Sequence, residues 1–158
     1  GYFPGRAEAA DGPGMAAFAE LKVKDVLSLP VIVRESTSVH DAVVTLFMEN
    51  VGSLIVTDES GALAGVVSRK DLLKVTLGNP GAAQMPVGLV MTRHPNVVTT
   101  TLDESVLEAG RKMIHHEVDS LPVVVRHPDD PLSLEVVGRI SKTTMTKLLV
   151  GFTGAVET

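Results

Sequence analysis

The chain has 158 residues, 44% of them hydrophobic, a formal net charge of −5 and no cysteine. Its length suits one compact domain or a fused pair of half-domains, with enough apolar content for a core. Disulfides, thiolate metal sites and cysteine nucleophiles are excluded; no membrane-length apolar run or signal peptide is evident, which together fit a cytoplasmic protein.

Residues 1–20 stand apart. Gly1-Tyr2-Phe3-Pro4-Gly5 and Asp11-Gly12-Pro13-Gly14 are rich in breakers, and Met15 to Leu21 is a short alanine-rich helical stretch. This segment reads as a tail or as the trailing end of a missing domain. A strand is expected at about 31–34 and a helix at about 38–49, where Val39, Ala42, Val43, Leu46 and Phe47 have helical spacing. Strands follow at 53–57 and 63–67 around the turn Asp58-Glu59-Ser60-Gly61, and a second helix starts at Ser68.

The same order then recurs. A shift of 67 turns the first helix face into Val106, Ala109, Gly110, Met113 and Ile114, and Ser53-Leu54 into Ser120-Leu121. The second block is expected to place a strand at 97–100, a helix at 105–116, strands at 120–125 and 135–140, and a helix from Ser141. Its extra residues fall in Arg126-His127-Pro128-Asp129-Asp130-Pro131, read as a loop. Upstream, Val26-Leu27-Ser28 matches Val90-Met91-Thr92. One such unit is too small to bury much core, so the two pack together as one α/β domain. The units are 21–80 and 81–151, with 152–158 a C-terminal tail.

Each block ends its last strand with a repeated motif, Gly65-Val66-Val67-Ser68-Arg69-Lys70-Asp71 and Gly138-Arg139-Ile140-Ser141-Lys142-Thr143-Thr144. Two readings stand. Ser-x-x-Asp after a strand is a helix capping box, and Gly65 can serve close strand packing. Alternatively, recurrence of glycine and serine, flanking cations and a helix N-terminus suit an anionic ligand. Asp71 would then accept hydrogen bonds from sugar hydroxyls, with phosphates towards the cations. Thr144 cannot do so, and the second cleft is expected to bind more weakly.

Other candidates read as structural. His115-His116-Glu117 lacks zincin spacing and neighbouring helical histidines diverge, so no metal site is expected; His127-Pro128-Asp129-Asp130 reads as a solvated turn. No nucleophile elbow, P-loop or dinucleotide fingerprint occurs, and no catalytic constellation is found. The acidic balance, without a basic stripe, argues against nucleic-acid binding by these residues.

Gly-Val-Val-Ser-x-x-Asp, the Val-x-Asp-Val-Leu-Ser and Val-Met-Thr-x-x-Pro lead-ins, and Asp-Ser-Leu-Pro-Val-Val resemble paired CBS domains (a Bateman module) over about residues 21–151. Leu21-Lys22-Val23-Lys24-Asp25, Val39-His40-Asp41-Ala42 and Val90-Met91-Thr92-Arg93 further resemble the sensor half of CcpN-type repressors. Those bacterial proteins join a helix-turn-helix to a CBS pair and repress gluconeogenic genes. The resemblance implies tandem β-α-β-β-α repeats packed as a pseudo-twofold pair, a homodimer, and an adenine nucleotide (ATP, ADP or AMP) as regulatory ligand. It also implies that each cleft draws on both repeats. The main cleft would use Val66, Ser68, Lys70 and Asp71 with Val97, Val98 and Val118, and Lys142 as a phosphate contact. The second would use Arg139, Ser141 and Thr144 with Val31, Val51 and Gly52. A stand-alone CBS protein regulating an enzyme or transporter is the alternative expectation.

Overall fold

The computed structural model describes residues 14–153. The expected tail regions 1–13 and 154–158 lie outside the described residues. In chain order the elements are α1 (14–20), α2 (Val23–Val26), β1 (Ile32–Arg34), α3 (Val39–Glu49), β2 (Ser53–Thr57), β3 (Leu63–Ser68) and α4 (Arg69–Gly78). Two 3-10 turns, Pro80–Gln84 and Val87–Leu89, lead to β4 (Thr92–Arg93), α5 (Val106–His115), β5 (Ser120–His127), β6 (Asp130–Ser141) and α6 (Lys142–Thr153).

Local chemistry explains the helix ends. The Ser38 and Ser105 hydroxyls accept from the Asp41 and Glu108 amides, both at 3.0 Å, and cap α3 and α5. Asn50 closes α3 in the left-handed region at φ 52°, and Glu117, its counterpart after α5, holds φ 55°. The inward stripes are narrower than the sequence spacing suggests. Val39, Ala42 and Leu46 of α3 are buried, but Val43 and Phe47 are exposed. On α5, Val106, Ala109, Gly110 and Met113 are buried while Ile114 is exposed.

The first sheet has the order β1-β2-β3-β4, with β1 parallel to β2 and the other neighbours antiparallel. The second contains β5 and β6, antiparallel. The strand expected at 97–100 is reduced to a parallel bridge between Thr100 and Val123. Proline explains the loss. In the first repeat the Ile55 amide donates to the Val31 carbonyl at 3.0 Å, but Ile55 has Pro122 as its counterpart, which has no N–H to give. The segment is held from the helix side: Thr100 donates to Glu104 at 2.6 Å, and Lys112 reaches Glu104 and the Thr99 carbonyl, both at 2.9 Å. The expected loop at 126–131 is also different. Its insertion lengthens the hairpin, because β5 continues to His127 and β6 begins at Asp130.

The two lead-ins exchange places. Val23 and Val26 pack into the second repeat's core, where the Val23 amide bonds the Glu104 carbonyl and Ser28 bridges Arg139. Val87, Met85 and Met91 pack into the first repeat's core, and β4 pairs with β3 at Gly65–Arg93. Helix α1 joins this exchange. Phe18 is 1% exposed in the second core and meets Phe152 edge-on at 6.0 Å, so this residue ties α1 to that core while Ala16, Ala17, Ala19 and Glu20 stay exposed. A third cluster, Ile55, Leu63 and Val124 with Val66, Val97 and Val136, joins the halves. Ser53 and Ser120, equivalent by the 67-residue shift, touch hydroxyl to hydroxyl at 2.9 Å, as residues beside a pseudo-twofold axis do.

Candidate functional site

The repeated motif forms the start of α4 and α6. At α4 both capping interactions are present: the Ser68 hydroxyl accepts from the Asp71 amide at 3.1 Å, and Asp71 Oδ2 accepts from the Ser68 amide at 3.0 Å. The Ser68 hydroxyl also reaches Asp71 Oδ2 at 2.9 Å. The capping reading is therefore correct for Asp71, and it commits one carboxylate oxygen. At α6 the Thr144 amide donates to Ser141 Oγ at 3.3 Å and the two hydroxyls lie 3.4 Å apart. That cap is looser and carries no charge.

Beside the α4 start lies a cavity of about 670 Å3 between the two repeats. Val66, Ser68, Lys70 and Asp71 line it from the first repeat, and Val97, Val98 and Val118 from the second. These seven are brought together as the sequence reading grouped them. Lys142 is not among the lining residues; its ammonium sits 3.5 Å from Asp119, which is. Gly52, assigned to the second cleft, lines this cavity instead. It does so because Gly52 and Asp119 face each other across the pseudo-twofold axis: a Cβ on Gly52 would lie 3.9 Å from Asp119 Oδ2.

Several lining residues were not assigned to this cleft from sequence. Leu73, Lys74 and Leu77 follow Lys70 at helical spacing along α4, a signal available in the chain. Ile55, Thr92 and Pro122 reach the site only through the sheet and the exchanged lead-ins. The charges balance: Arg69, Lys70 and Lys74 oppose Asp71, Glu117 and Asp119. Arg69 is partly committed, since its guanidinium donates to the Val51 carbonyl at 3.2 Å.

The residues grouped as a second cleft are arranged differently. Val51 is buried in the first core and Val31 packs against that core. Arg139 takes the place that Val66 has in the first repeat, with a half-buried side chain, and desolvation pushes its guanidinium below the ordinary arginine range. Val31, Val51, Arg139, Ser141 and Thr144 line none of the three cavities described. Among the described residues, no group of three or more histidine or acidic side chains is placed to hold a metal ion. No described helix is long and apolar enough to cross a membrane.

Comparison with known proteins places this geometry in a family. The CBS domain model matches residues 23–78 and again 87–151. The chain is 42% identical over 131 residues to the transcriptional repressor CcpN of Bacillus subtilis (strain 168), covering 83% of this chain and 60% of the repressor. It is 32% identical over 130 residues to L-aspartate semialdehyde sulfurtransferase of Methanocaldococcus jannaschii, covering 82% of this chain and 23% of that enzyme. The chain thus spans less than two thirds of either relative. Among solved structures, the CBS domain pair of protein MJ0100, in complex with 5'-methylthioadenosine and S-adenosyl-L-methionine, superposes with a TM-score of 0.69 at 30% identity, covering 82% of this chain and 96% of that one. CBSX2 in complex with AMP superposes with a TM-score of 0.68 at 26% identity, over 83% of this chain and 97% of that one. The chain therefore belongs to the CBS domain family, as a tandem pair of these regulatory modules.

Proposed function

We propose that the cavity beside α4 binds an adenine nucleotide and that the chain is the sensor region of a CcpN-type transcriptional repressor acting on gluconeogenic genes. The observation that carries the binding reading is the convergence of Val66, Val97, Val98 and Val118 with Asp71 on one cavity. Apolar walls suit the faces of a purine, and a carboxylate suits the two hydroxyls of a ribose. Asp71 Oδ2 is engaged by the cap, so Oδ1 is the oxygen left for the sugar. Lys70 and Lys74 then face the phosphates, with Lys142 releasing Asp119 to join them. The adenosyl ligands of the solved CBS pairs support this assignment.

Ligand binding would favour one arrangement of the pair and so alter how attached DNA-binding domains are presented. Couplings of this kind are worth about 1–3 kcal/mol. The 42% identity to CcpN supports the repressor assignment. The match to an enzyme chain favours a second reading, in which the pair regulates an enzyme or transporter. A helix-turn-helix encoded upstream of Gly1 supports the first; a start codon directly before it supports the second.

A thermal-shift panel tests the binding reading. Nucleotide at a hundred times its Kd stabilises by about 2.7 kcal/mol. For a domain of this size that raises Tm by about 5–10 °C. Asp71→Ala is expected to lose most of that rise relative to its own unliganded Tm. No shift with ATP, ADP or AMP would sink the reading.

A further inference from the structure

The charges around the cavity beside α4 are sorted by repeat. Its cations, Arg69, Lys70 and Lys74, all stand on α4, whose one acid, Asp71, is folded into the cap. Its other two acids, Glu117 and Asp119, come from the second repeat between α5 and β5, and both are exposed. Their counterparts in the first repeat are neutral, Asn50 and Gly52. The backbone follows one plan in both repeats: the Arg69 amide donates to the Gly52 carbonyl and the Lys142 amide to the Asp119 carbonyl, each at 2.9 Å. The carboxylate of Asp119 is thus an addition at a position where the same junction accepts glycine.

Asp119 also stands where the two repeats meet. A Cβ on Gly52 would lie 3.9 Å from its Oδ2, and its Oδ1 lies 3.5 Å from the Lys142 ammonium. Its side chain is 79% exposed, so the carboxylate fills no core position and is free to act on what enters the cavity. With a purine among the valines and a ribose at Asp71, a phosphate chain passes between the α4 cations and the acids of the second repeat. The first phosphate gains from Lys70 and Lys74. Each further phosphate adds about one negative charge beside an edge that is already negative.

We infer that Asp119 is a specificity-determining residue that sets the phosphate count of the ligand and makes the site favour a nucleoside monophosphate over a triphosphate. It acts twice in one direction: its charge repels the longer chain, and it keeps the Lys142 ammonium from that chain. Solvent screening around so exposed a carboxylate limits the effect to a few-fold. The inference rests on the adenine-nucleotide reading above and adds to it the class of nucleotide.

Calorimetric titration of AMP and of ATP, without divalent cations and at one ionic strength, tests the inference in the wild-type chain, Asp119→Asn and Glu59→Gln. The wild type is expected to bind AMP at least about threefold tighter than ATP. Asp119→Asn is expected to lower the ATP-to-AMP ratio of Kd values by at least about threefold. Its binding of AMP shows that the variant is folded. Glu59→Gln removes the same charge from the exposed β2–β3 turn and is expected to leave the ratio unchanged. A wild type that binds ATP as tightly as AMP overturns the inference. So does a smaller fall in Asp119→Asn, or an equal fall in Glu59→Gln, and each of these leaves the adenine-nucleotide reading standing. A wild type that binds neither nucleotide removes that reading and this inference together.

Discussion

The two copies of one motif start two helices on the same plan and leave different chemistry behind. At α4, Asp71 closes a charged capping box and its carboxylate borders a cavity. At α6, Thr144 makes a looser contact to Ser141, and Arg139 fills the place of Val66. The difference arises from substitutions at two positions of a repeated strand–helix junction. A tandem repeat can thus keep its fold through shared apolar positions while its clefts diverge through a few polar ones.

That contrast can be tested from the cores outward. Phe18 is buried in the second core, and its counterpart, by the same offset that relates Ser28 to Thr92, is the buried Ala82. Phe18→Ala is expected to destabilise by about 3–4 kcal/mol, measured by urea unfolding. Ala82→Gly is expected to cost no more than about 1 kcal/mol. A small loss at Phe18 would mean that α1 is not part of the folded unit.

The motif glycines come next. A Cβ on Gly65 would run into the Thr92 carbonyl and lie 2.7 Å from Met91 Sδ, so Gly65→Ala must displace β4. The expected loss is about 2–3 kcal/mol. Gly138→Ala meets the Leu27 side chain at 2.9 Å and the Ser28 carbonyl at 3.1 Å, a milder overlap expected to cost about 1 kcal/mol. Equal losses would contradict the tighter packing of the second lead-in, Met91–Thr92, against Gly65.

The caps give a smaller effect of opposite signs. Asp71→Ala removes a capping partner and is expected to cost about 1 kcal/mol without ligand. Thr144→Asp supplies the missing acid at the dipole's positive end and is expected to add about 0.5 kcal/mol. Destabilisation by Thr144→Asp would show that Arg139 and its surroundings reject a carboxylate there.

The β2–β3 turn gives the smallest. The Asp58 carboxylate is held below the ordinary range, first by the Ser60 hydroxyl at 2.6 Å; desolvation opposes this, and the Ala62 and Ser60 amides add to the lowering. A lowered folded pKa means that this stabilisation is present above the unfolded value, about 3.9, and is lost as pH falls through the folded value. Asp58 lies partly exposed in a surface turn, so the amount is under about 1 kcal/mol. Asp58→Asn is expected to flatten the acid limb of a Tm–pH curve slightly.

Much of this architecture was legible because it depends on local pattern. Apolar runs and turn residues give β2 over Ser53–Thr57 as expected, and serine caps place α3 and α5. What escaped the sequence depends on distant partners. Phe18 sits in the short helical stretch after the breakers and reads as tail, yet most of the buried residues of its core, Val106 to Ile140, lie more than eighty positions away. Pro122 removes a ladder donor from residues 97–100, an effect visible only once β5 and the lead-in are known to pair. At the site, the resemblance to CBS pairs grouped Asp71 with Val97, Val98 and Val118. It could not show that Gly52 faces the same cavity, because closeness to a pseudo-twofold axis has no signature in a repeat.

Calorimetric titration of AMP, ADP and ATP into the wild-type chain, Asp71→Ala and Thr144→Ala tests the unequal clefts most directly. The account predicts that at least one nucleotide binds wild type with one dominant site per chain, that Thr144→Ala keeps that site, and that Asp71→Ala weakens it by at least about tenfold. Two equal sites per chain, or a dominant site lost in Thr144→Ala and kept in Asp71→Ala, would contradict it.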